Sequence, residues 1–388
     1  MSNQAIIQAI TELVEIPSTE DNPAGLQRAV DFMADFVTAR ADVTIERFER
    51  NGKPSFLAYR GTTRPAIFDV LLNAHLDVVP GAKQQFKAVV QDGNLFGRGA
   101  FDMKAAAICE AVAFCEMVTK VPYALGLQIV SDEEVGGYNG AGYQVEQGVR
   151  ADFILAGEHT FAPNVIYTAA RGIAWAEVGF RGKTAHGGYP WRGRNALAEA
   201  VDYVHDVLER YPIPAKETWA TSVNISSIQT SNASYNSVPH NAVVKLDFRF
   251  TPENKEFESR EAFRELLVSF NPEIEILDIP VFDPAISVDH SNKHLQALEA
   301  ALRETCGEEV VFDRRYAGGD ARHFALVGGN AVEFGLTGAH MHAEGEYVNL
   351  DAIDNYLLAL KRFLANDTPY RQNAHKDPSK PESSLTNA

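Results

Sequence analysis

Five short segments of this chain concentrate imidazole and carboxylate side chains, the donors that bind borderline cations and move protons. The first is HLDVVPG, His75 to Gly81, at the end of an apolar run. An extended backbone puts His75 and Asp77 on one face, where the carboxylate can accept an imidazole N–H and leave the other ring nitrogen for a metal. The second is GRGAFDMKAAA, with Asp102 directly before a helical run. Asp102 reads either as a helix cap or as a ligand, since the Gly97-Arg98-Gly99 turn lets backbone approach closely. The third, SDEEVGG, sets three acids side by side, a repulsion offset by a cation or by solvent. In a loop, one of Glu133 and Glu134 can bind metal while the other faces the water to be activated. Glu158, with His159 beside it in LAGEHT, ends a further apolar run, and AHMHAEGEYV offers His340, His342, Glu344 and Glu346. Each segment alone has an ordinary reading: a strand end, a cap, a solvated acidic loop, a surface histidine pair. Their shared donor type and shared place at element ends point to a metal centre.

In order and spacing these motifs resemble a family, the dinuclear zinc hydrolases that include acetylornithine deacetylase, succinyl-diaminopimelate desuccinylase, aminoacylase, glutamate carboxypeptidase and related dipeptidases. The resemblance runs from the N-terminal helix to near Leu360. It implies two zinc ions, with cobalt or manganese as substitutes. By that resemblance His75 and Glu158 bind one ion, Asp102 bridges, and Glu134 and His342, not His340, bind the other. Asp77 supports His75, Glu133 is the general base, and a cis peptide follows Asp102. The family also implies an inserted domain that dimerises and carries His186 (GKTAHGGYP) to the partner's site as an oxyanion donor. Asn236 in YNSVPHNA and Arg249 in KLDFRF match positions that hold the substrate carboxylate. Two departures stand out. AGGDARHF (Ala317 to Phe324) replaces the family's Gly-Gly-Thr-Ser-Asp stretch, leaving Gly319 and Arg322 as substrate-side candidates, and His159 stands where many relatives have proline. The implied activity is cleavage of an amide bond in an N-acyl amino acid or short peptide bearing a free carboxylate. The alternatives are a dipeptidase or carboxypeptidase of the same family, or a catalytically silent binding protein that keeps the fold.

The elements that must position these residues follow an α/β rhythm. Phe68 to Val79, Leu125 to Ser131 and Ala151 to Gly157 are almost continuously apolar, the pattern of strands covered on both faces, and chemistry collects beyond the carboxyl ends of such strands. Helical periodicity marks Asn3 to Val14, Ala24 to Arg40, Leu295 to Cys306 and Leu350 to Ala365. Between Ile173 and Ile279 the order becomes βαββαβ, that of a ferredoxin-like sandwich. The expected organisation is therefore a mixed-sheet, zinc-exopeptidase-like catalytic domain in two parts, 1–171 and 281–366, with a ferredoxin-like lid or dimerisation domain inserted at 172–280. The polar, Pro/Ser-rich tail 367–388 is expected to be disordered.

Composition narrows the partners. The 388 residues are 45% hydrophobic and 22% charged, and 52 acids against 35 bases give −17, a field that repels nucleic acid and suits cations and small molecules. No stretch is apolar enough for a membrane span. The N-terminus reads as an amphipathic helix containing Glu12 and Glu15 instead of a signal peptide, so the expected location is the cytoplasm, where Cys109, Cys115 and Cys306 stay reduced. A nucleotide-binding α/β protein is disfavoured because no Gly-rich phosphate loop follows a strand.

Overall fold

A computed structural model of the chain describes residues 1–366; the tail from Asp367 lies outside the described residues. The chain divides into two compact units: a larger one, Met1–Thr168 with Val288–Asp313 and the chain from Gly319, and a smaller one, Ala169–Ser287 with Arg314–Gly318.

In the larger unit one mixed sheet runs, in spatial order, through Thr44–Arg50, Lys53–Tyr59, Leu125–Val130, Phe68–His75, Ala151–Ala156, Asn330–Glu333 and Val165–Ala170. The central strands Leu125–Val130, Phe68–His75, Ala151–Ala156 and Asn330–Glu333 are mutually parallel. Val70, Leu71, Leu72, Phe153, Ile154 and Leu155 are all inaccessible, because helices cover both faces and alternation is not required. Helix Pro23–Thr38 starts where the Asn22 side chain accepts the Gly25 N–H at 3.1 Å, with proline at its first position. Helix Ala105–Met117 is buried along nearly its whole length, which its small alanines permit. The strand expected to run to Val79 stops at His75. Burial outlasts pairing there: Leu76 and Val78 stay buried, but the Val78 N–H turns to the Ser18 carbonyl.

The smaller unit orders its strands Ser222–Gln229, Asn241–Phe250, Gly172–Arg181 and Glu275–Asp278, all antiparallel. Helices Ala196–Arg210 and Arg260–Phe270 complete the βαββαβ order. Along Asn241–Phe250, Ala242, Val244, Leu246, Phe248 and Phe250 are buried in strict alternation, so one face of this sheet holds the core. All three cysteines are free. No helix among the described residues is long and apolar enough to cross a membrane.

Candidate metal centre

The parallel strands deliver acid and imidazole side chains to one end of the large sheet. His75 is the last residue of its strand, Glu133 opens a tight helical turn just beyond Leu125–Val130, and Glu158 lies just beyond Ala151–Ala156. His342 arrives from the loop between the short strands Gly338–Ala339 and Tyr347–Asn349.

Around Asp102 the chain does not form the cap that its place before a helix suggests. The helix begins at Ala105, and Asp102 has non-helical φ/ψ of −121° and 96° and is followed by a cis peptide to Met103. The flanking glycines serve packing. A Cβ on Gly97 would fall 2.4 Å from Val14 Cγ1, and one on Gly99 2.5 Å from Val78 Cγ1. The segment is held from a distance by Glu346, whose Oε1 accepts the N–H groups of Phe101 (3.1 Å) and Asp102 (3.2 Å) and whose Oε2 takes Arg98 Nη1 at 2.6 Å. Glu346 and Arg98 are each 3% exposed, so loss of either would strand a buried charge at a cost of about 3–5 kcal/mol. Sequence reading placed both residues in noteworthy segments, yet nothing local announces that they pair.

His75 Nε2 lies 3.1 Å from Asp102 Oδ1 and 3.7 Å from Glu158 Oε1. Its Nδ1 lies 3.0 Å from the Asp77 carbonyl oxygen and 3.5 Å from the Asp77 carboxylate. Asp77 therefore fixes the ring mainly through its backbone, while its Oδ2 accepts the Glu134 N–H at 2.9 Å and ties the His75 and Glu134 loops together. On the other side of Asp102, His342 Nε2 lies 3.1 Å from Asp102 Oδ2 and 3.1 Å from Glu134 Oε1. His340 is absent from these contacts; its ring lies 6.0 Å from that of Tyr347. Among the described residues, three groups of donors each lie within 4.8 Å of one another: His75, Glu133 and Glu158; Asp102, Glu134 and His342; and Asp102, Glu158 and His159.

Gly319 and Arg322 belong to the same unit. Arg322 is 6% exposed and donates to the carbonyls of Gly319 (2.7 Å) and Gly136 (2.6 Å), bracing the turn that carries Glu133 and Glu134. A Cβ on Gly319 would lie 2.7 Å from Glu333 Oε1. In the smaller unit His186 Nδ1 accepts the Gly188 N–H at 3.1 Å, so the neutral ring carries its proton on Nε2 and presents a donor. The Asn236 carbonyl accepts the Gly187 N–H at 2.7 Å, which sets Asn236 beside that loop. Arg249 already uses Nε and Nη2 on the Asp247 carboxylate, at 2.9 and 3.1 Å. A substrate carboxylate would have to meet Nη1 or displace Asp247.

The acids and imidazoles of the cluster shift one another's protonation. Burial, then the charge of Glu158, pushes the Glu133 carboxyl well above the carboxylate range, and burial also raises Glu134. Burial alone would raise Asp102, but the imidazoles of His159, His342 and His75 hold it well below. Hydrogen bonding to Asp102 and Glu134 lifts His342 to about 10. Paired carboxylates and imidazoles, all nitrogen and oxygen donors, fit zinc and similar divalent ions.

The model for peptidase family M20/M25/M40 matches residues 71–366. A succinyl-diaminopimelate desuccinylase of Acinetobacter baylyi is 27% identical over 80% of this chain and 86% of its own. Among solved structures, aminopeptidase PepT from Bacillus cereus superposes with a TM-score of 0.73 at 17% identity, covering 95% of this chain and 99% of that one. The M20 family metallo-carboxypeptidase Sso-CP2 from Sulfolobus solfataricus gives 0.70 at 18% identity, covering 93% and 99%.

Proposed function

Because this chain belongs to peptidase family M20/M25/M40 and is a metal-dependent hydrolase of small molecules or peptides, we propose that it cleaves the amide bond of an N-acyl amino acid or short peptide bearing a free carboxylate. The observation that carries this reading is the meeting of His75, Glu133 and Glu158, and of Asp102, Glu134 and His342, at one sheet end, the two groups joined where His75 approaches Asp102. We assign His75, Asp102 and Glu158 to one zinc ion and Asp102, Glu134 and His342 to a second, Asp102 being shared. When bound, the ions supply Lewis acidity that acidifies water and polarises the scissile carbonyl.

The remaining steps belong to the chain's own groups. Glu133 is assigned to take a proton from the attacking water and hand it to the leaving amine nitrogen; burial raises its carboxyl, which strengthens its ionised form as a base. Asp77 keeps the His75 ring oriented. His186, with its Nε2–H, is assigned to the oxyanion and is contributed by the partner chain of a homodimer. Asn236 and Arg249 are assigned to the substrate carboxylate, with Gly319 and Arg322 supporting the loop beside Glu133.

The relative named for desuccinylation makes N-succinyl amino acids the first substrates to try, followed by N-acetyl amino acids and dipeptides. The zinc-loaded protein should turn over at least one class, lose activity to a chelator and regain it with zinc. Failure on every class would overturn the proposal.

A further inference from the structure

The residue after Glu158 is an imidazole that the ligand assignment leaves unused, and the structure sets it against that assignment's own oxygens. His159 is 2% exposed, and its Nδ1 lies 3.6 Å from Glu158 Oε2 and 3.8 Å from Asp102 Oδ2. The separation from Glu158 suits two donors on one ion: atoms each about 2.1 Å from a common zinc and 3.6 Å apart subtend roughly 120°, an equatorial angle of a five-coordinate centre. The ring is kept in place on its other sides. Phe101 packs 4.8 Å from it, centroid to centroid, and Phe161 5.6 Å edge-on. The next residue is anchored as well, the Thr160 N–H donating to the Leu336 carbonyl at 2.9 Å and its hydroxyl to the Gly335 carbonyl at 3.1 Å.

We propose that His159 is an additional metal ligand, a third imidazole in the centre that binds the ion held through Glu158. The inference rests on the two-ion reading above and extends it. The nitrogen adds to the five proposed ligands instead of replacing one of them. It raises the coordination number of one ion and shifts that site's preference toward nitrogen-seeking metals such as zinc and cobalt over manganese.

The test uses the full-length protein loaded with cobalt, as wild type, His159→Ala and His159→Asn. Elemental analysis gives ions per chain, chelator competition gives the affinity of each ion, and visible and X-ray absorption report coordination number and imidazole count. The wild type should hold two ions with three imidazoles between them. Both variants should lose affinity for one ion by at least about 10–100-fold while the other is unchanged, their d–d bands intensifying as one ion becomes four-coordinate. Added imidazole should restore the wild-type spectrum in His159→Ala. Two ions with only two imidazoles in the wild type would overturn the proposal while leaving the two-ion centre standing, whether or not the variants fold. Wild-type affinity and spectrum in His159→Asn would do the same, reducing His159 to a positioning donor. A wild type that takes up no cobalt would overturn both readings.

Discussion

His342 shows what a single side chain commits to in this centre. With Asp102 and Glu134 both 3.1 Å from Nε2, its imidazole holds a proton up to about pH 10. A ligating nitrogen must be bare, so binding has to expel that proton. We therefore predict that zinc uptake near pH 7.5 releases at least one proton per chain, measured by calorimetry in buffers of different ionisation enthalpy, and that zinc affinity rises with pH. His342→Ala should lower this release, His75 still giving up its own proton, and leave about one ion bound, whereas His340→Ala should change neither; the opposite pattern would show the register to be wrong. Which of the two histidines approaches Asp102 and Glu134 was legible in the sequence only through the resemblance, since both sit in one short loop with positive φ, 61° and 58°. Other residue-level facts were not legible at all. The pairing of Glu346 with Arg98, and the bond from the Glu134 N–H to Asp77, join loops distant in sequence, and local pattern carries no signal for such contacts.

The elements themselves were well marked. Asn22, Asn195, Ser259 and Asn292 each cap the helix that follows, and strand runs ended in the polar residues that became the site. The exception is the segment after His75, where apolar burial continues without ladder pairing, so alternation placed Asp77 by the wrong rule although beside the right ring. Helix Ala105–Met117 carries a second anomaly. Glu110 on this buried helix is inaccessible, and burial together with the charge of Glu158 holds its carboxyl well above the ordinary range. A carboxyl with a raised folded-state pKa stabilises the fold below its unfolded value of about 4.3, and that contribution is lost as pH rises through the folded value. Glu110→Gln, which cannot ionise, should raise the melting temperature at pH 8 and leave it nearly unchanged at pH 4. A uniform shift at both pH values would place the effect in packing instead of ionisation.

At the scale of the molecule, the larger unit holds every proposed metal ligand and Glu133, while His186, Asn236 and Arg249 belong to the smaller one. If His186 acts across a homodimer, inactive chains should complement each other. After co-refolding His186→Ala with Glu133→Gln chains, each heterodimer holds one site with both a working base and a working donor, so activity should return toward one site per dimer. No recovery in confirmed heterodimers would remove His186 from the chemistry and leave it a structural residue of the smaller unit. The central claim is that Glu133 moves protons beside two ions it does not bind. It is tested most directly by measuring metal content and turnover on one preparation of Glu133→Gln, with whichever substrate the wild type accepts. Two ions per chain are expected, as in the wild type, with turnover lowered at least about 10²–10⁴-fold. Near-normal turnover, or the loss of an ion, would contradict it.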